Sequence, residues 1–112
     1  MCHHPLVSIH DASRAERRAA RERVSAYYEA ELAKLLAHVG EAVDRYRAGE
    51  LDVHDADDEI HRYSKAAREL WKFCWAGGGG SHMVFVAGVL GMLEEEGTRR
   101  DWWAEAGERK GR

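Results

Sequence analysis

Apolar residues recur through the middle of this chain at alternating intervals of three and four: Val53, Ala56, Ile60, Tyr63, Ala67, Leu70 and Cys74. That alternation holds one stripe of a helix against a neighbouring helix, so residues 53–75 are predicted to form an amphipathic helix. A second seven-residue repeat precedes it, formed by Val24, Tyr28, Leu32, Leu35, Val39, Ala42 and Tyr46. It belongs to a stretch, 13–48, that has no proline and a single glycine, Gly40. Such a stretch predicts a helix about 54 Å long. Between the two, Gly49 suits a helix C-terminus and Asp52 an N-cap. Two long helices joined by so short a turn fold back antiparallel. Pairing positions equidistant from the turn sets Tyr46 near Ala56, Val39 near Tyr63, Leu32 near Leu70 and Tyr28 near Cys74.

The rest of the chain is organised around this hairpin. Residues 1–10 hold the only proline and three histidines, and read as a loose lead-in. No apolar residue larger than alanine occurs between Ala12 and Arg23, so the start of the first helix is expected to overhang its shorter partner. After Gly77 to Gly80, Ser81 can cap a third helix over 81–96. Its run from Met83 to Leu93 is apolar on every side, which predicts burial against more than one neighbour. Asp101 suits the cap of a last short turn carrying Trp102 and Trp103, and 107–112 reads as a tail. The fold expected is therefore all-helical and bundle-like: one domain, a long antiparallel hairpin with a third helix packed across it.

This arrangement leaves apolar positions that the hairpin cannot cover. Leu36 and Val43 fall beside the first seam and face Ser64, Trp71 and Asp57. Together with Phe85, Val89 and Met92 of the third helix, Leu36, Val43 and Trp71 form a candidate interface. Trp71, Phe73, Trp75, Trp102 and Trp103 are dense for so short a segment, and such aromatic excess is typical of interface centres. The expected assembly is a homodimer.

Composition narrows the function classes. The formal charge is −3, from 17 basic and 20 acidic residues among 112, so no global field favours nucleic acid or an anionic membrane. Two cysteines, one of them on the heptad seam, suit a reducing compartment, and a cytoplasmic location is expected. The eleven-residue apolar run Met83–Leu93 is too short to span a bilayer. The N-terminus lacks a signal-peptide layout.

The segment Ile60-His61-Arg62-Tyr63-Ser64-Lys65-Ala66-Ala67-Arg68-Glu69-Leu70-Trp71-Lys72-Phe73-Cys74, followed by a glycine-rich turn, resembles short actinobacterial helical proteins with an Ile-His-x-Tyr and Arg-Glu-Leu-Trp-Lys-Phe-Cys pattern. The likeness covers about half the chain. It implies a helical fold and no particular activity. Residues 77–83, Gly-Gly-Gly-Gly-Ser-His-Met, would also suit a linker, and the resemblance favours a natural connection.

Three constellations have the residue types for chemistry. His54, Asp57, Asp58 and His61 are spaced three, four and seven apart, which places imidazole and carboxylate on one helical face as in a metal site. They also sit in the first turns of a helix, where acids favour the dipole, and a bundle metal site needs further carboxylates from other helices; only His38 and Glu41 could approach. Arg14, Arg17, Arg18 and Arg21 form a basic stripe that could contact phosphates, but Glu16 and Glu22 interleave with it. The glycines before Ser81 lack the lysine of a phosphate-binding loop and follow no strand. Cys2, His3, His4 and His10 could chelate metal only from an unorganised tail. No catalytic triad or cofactor motif is present. The sequence thus favours a non-enzymatic helical interaction or regulatory module without a cofactor, with a metal-binding bundle or nucleic-acid binding through the arginine stripe as alternatives.

Overall fold

The computed structural model describes residues 4–77 and 80–110. The fold is all-helical among these residues. Four helices follow one another: α1, His4–Arg47; α2, Val53–Trp75; α3, Gly80–Glu96; and α4, Trp102–Lys110. The molecule measures 73 × 24 × 24 Å, and α1 runs nearly its whole length.

The α1–α2 turn is closed by backbone chemistry. Gly49 adopts φ 81°, its N–H bonds to the Tyr46 carbonyl at 3.0 Å, and the Glu50 N–H bonds to Arg45 at 2.8 Å. This is the paired 5→2 and 6→1 bonding of a glycine-terminated helix. Asp52 then accepts the Asp55 N–H at 2.8 Å and starts α2. The same device ends α3: Gly97 has φ 72°, with Gly97 bonded to Glu94 at 3.1 Å and Thr98 to Leu93 at 2.9 Å. Asp101 accepts the Ala104 N–H at 3.0 Å and starts α4.

α2 packs antiparallel on α1, with the Tyr28 and Trp75 rings 5.7 Å apart near its far end. α3 packs mainly on α1, with a smaller contact on α2, and Arg23 pairs with Glu94 at 2.7 Å. α4 returns along α2. One core joins all four helices: Ala20, Val24, Leu35, Ala66, Leu70, Cys74, Met83, Val86, Leu90, Trp102 and Ala106.

Several expectations are corrected. Residues 4–10 extend α1 rather than forming a loose lead-in, because Pro5 falls in the first turn, where its missing N–H has no helical partner to lose. The overhang of α1 is covered from Ala20 onward, since Ala20 and Val24 join the α3 side chains in the core. Residues 107–110 belong to α4 rather than to a tail. Nor is the α2 seam uniformly buried. Val53 and Ile60 are exposed, whereas Ala66, just off the seam, is fully buried. The physical reason is α4, which packs on that side of α2 and turns the buried arc toward Ala66. α3 is covered on one side only: Met83, Val86 and Leu90 are buried, but Val84, Phe85 and Met92 face outward.

Candidate functional site

The hairpin has two flanks of opposite character. On the closed flank, α4 is locked down by aromatic and cationic side chains. Trp102 donates its indole N–H to the Tyr27 hydroxyl at 2.8 Å and tilts against Phe73 at 5.5 Å. Arg100 lies over the Trp102 ring at 4.0 Å and pairs with Glu105 at 2.9 Å. Trp103 is stacked on the His38 ring at 4.0 Å and has the Arg62 guanidinium 4.3 Å from its ring centroid. Arg62 also donates to the Trp103 carbonyl at 2.9 Å. A side chain at Gly107 would run into that guanidinium, so the small residue leaves room for it. Of the five clustered aromatics in the sequence, Phe73, Trp75, Trp102 and Trp103 are therefore spent on internal packing.

The opposite flank has no cover. Leu36 is 51% exposed and Trp71 50%, and Val53 and Ile60 are also exposed. Val39 and Val43 are half-buried between them. The outer face of α3 adds a second apolar patch, in which Phe85 is 66% and Met92 58% exposed and Val89 is half-buried. Leaving a side chain of this size in water forgoes about 1.5 to 3 kcal/mol relative to full burial. Several lie together on one face. All six residues of the sequence-derived interface thus lie on these two faces, one on the α1–α2 hairpin and one on α3.

Between α1, α3 and the α3–α4 connection lies a cleft of about 530 Å³, lined by Arg23, Tyr27, Glu31, Leu90, Glu94 and Arg100 among others. Its charges are engaged internally. Glu31, only 8% exposed, accepts from Lys34 at 2.9 Å and lies 4.0 Å from Arg99. Burial raises the Tyr27 hydroxyl above its usual range, partly opposed by the Trp102 hydrogen bond. Burial also pushes the Cys74 thiol up to about 12, so at neutral pH Cys74 is protonated and a poor nucleophile. No signal in local spacing pointed to this cleft, because its walls come from positions up to 77 residues apart, Arg23 to Arg100.

The His54, Asp57, Asp58 and His61 set on α2 is made of exposed side chains. His61 pairs with Asp57 at 3.2 Å, with both side chains largely exposed. His54 and Asp58 are exposed as well. Among the described residues, no three His, Cys, Asp or Glu side chains converge to hold a metal. Arg14, Arg17, Arg18 and Arg21 lie exposed along α1. Cys2, His3 and Gly78 to Gly79 lie outside the described residues, as do the side chains of His4 and His10. Among the described residues no helix is long and apolar enough to cross a membrane. Compared with known proteins, the chain matches no family model, no curated protein and no solved structure.

Proposed function

We propose that this protein is a non-enzymatic helical interaction module that presents the uncovered flank of the α1–α2 hairpin to a protein partner. The observation that carries this reading is the exposure of Leu36 on α1 and of Val53, Ile60 and Trp71 on α2, on helix faces turned away from α4. The helices supply a rigid, preformed surface, so binding there orders little backbone and the apolar area is available as affinity.

A photo-crosslinking residue tests it. Placed at Trp71 and activated in cells, it should give discrete protein adducts. The same residue at Lys65, which lines a small depression against α4 on the closed side, should give none. Absence of adducts from Trp71, or equal adducts from both positions, overturns the reading.

A further inference from the structure

The uncovered flank carries a repeat of its own. Glu29, Ala33, Leu36, Gly40, Val43 and Arg47 are spaced four, three, four, three and four residues apart on α1. This is a heptad seam, on the side of the helix away from the core. Val43 is half-buried and the other five are exposed. Three further properties stand out. A Cβ at Gly40 would meet nothing within 4 Å, so the space above it is open. Glu29 and Arg47 have no salt-bridge partner among the described residues. And the seam is complementary to its own reverse: read antiparallel about residue 38, Leu36 falls opposite a glycine, Val43 opposite an alanine, and Glu29 opposite an arginine.

We infer that the partner on this flank is a second copy of the chain, seated about a two-fold axis that crosses α1 at the level of His38. Resting on the proposed interaction flank, this names its occupant. The two α1 helices run antiparallel. Leu36 packs onto Gly40 of the partner subunit, Ala33 onto Val43 of the partner subunit, and Glu29 pairs with Arg47 of the partner subunit. Large meeting small at each level is what close helix approach requires. The α2 helices obey the same axis. Tyr28 against Trp75 places residue 38 of α1 level with residue 64 or 65 of α2. Asp57 then lies near the partner's Lys72, an acid near the turn meeting a base at the far end. Ile60 and Trp71, both exposed in one chain, flank the joint core of a four-helix bundle.

The scale is right. The seam from residue 29 to residue 47 is about 27 Å long, and two helices give a face roughly 20 Å wide. Each copy thus offers a projected area on the order of 500 to 600 Å², which side-chain relief brings close to the roughly 800 Å² per partner of a stable interface. α4 and the outer face of α3 lie outside this contact.

Sedimentation equilibrium decides the matter. The wild-type chain should be a dimer at micromolar concentration. Leu36→Glu should weaken it by at least about a hundredfold, because a charge is buried without a partner. Gly40→Leu should also break it, while leaving the single chain folded and at least as stable to heat, since a glycine inside a helix is replaced and the space above it is open. Arg47→Glu should weaken the dimer about five- to tenfold. Combining it with Glu29→Arg should restore wild-type affinity. A wild-type monomer at about 100 µM overturns the inference; crosslinks from Trp71 to a different protein would then leave the interaction flank itself standing. A dimer indifferent to Leu36→Glu and Gly40→Leu, or one that the double charge reversal does not restore, overturns the proposed pairing.

Discussion

Cys74 lies at the junction of α1, α2 and α3 and is fully buried. Burial pushes its thiol from an ordinary 9.0 up to about 12. The sign of the consequence follows from which state holds the proton. The folded chain keeps Cys74 protonated up to about pH 12, whereas the unfolded chain releases that proton from about pH 9. The thiol therefore contributes its full share of stability below pH 9, and the contribution is lost as pH rises through the interval up to 12. Integrating between pH 8 and pH 11 gives a loss of about 2.5 kcal/mol from this group. Cys74→Ala removes the effect and costs packing, about 1 kcal/mol for a small buried group. Urea titrations of both proteins, followed by far-ultraviolet circular dichroism, should thus give stability curves that cross: the wild type is more stable at pH 8 and the variant at pH 11. Tyr27, also raised by burial, titrates in both proteins and largely cancels in the difference. Parallel curves without a crossing would refute the placement of Cys74 in the core.

Three further outcomes follow from the packing. Leu70→Ala should cost about 2 to 5 kcal/mol, whereas Ile60→Ala, on the same seam but exposed, should cost well under half of that; the contrast in urea midpoints checks how far α4 rotates the buried arc of α2. Trp102→Phe removes the donor to the Tyr27 hydroxyl and should destabilise by about 1 kcal/mol, read from the urea midpoint. Replacing His54 and His61 together by alanine should change stability by no more than about 0.5 kcal/mol, since the His61–Asp57 pair is solvent-exposed; a larger loss, or zinc retained stoichiometrically by the wild type only, would show that this face does more than begin a helix.

What could be read in the sequence was whatever repeats locally. The α2 bounds, the Gly49 and Asp52 caps, the antiparallel turn and the open positions Leu36 and Trp71 all follow from spacing along one or two helices. What escaped was set by contacts distant in sequence. The Trp102–Tyr27 hydrogen bond joins residues 75 apart, and it is this docking of α4 that buries Ala66 and leaves Ile60 outside. Gly107 inside α4 reads locally as the end of structure, but the space it leaves is occupied by Arg62. The start of α1 was missed for the opposite reason: Pro5 signals a break in most settings and is harmless in a first turn. The outward seam from Glu29 to Arg47 was visible in the letters. Only the structure distinguishes it from the inward one, because both have the same period.

α1 is one uninterrupted helix of 44 residues on which all three other helices rest. It acts as a ruler. Leu90 lines the same cleft as Arg23 and shares the core with Val24, and the middle of the open flank lies near Gly40, so about 24 Å of continuous helix separates the two apolar surfaces. Their azimuths are fixed as well, since no break in α1 lets one rotate against the other. Whatever sits on the outer face of α3 is held at a set distance and bearing from whatever sits on the hairpin, and inserting one residue into α1 between Val24 and Leu32 would swing one surface about 100° relative to the other.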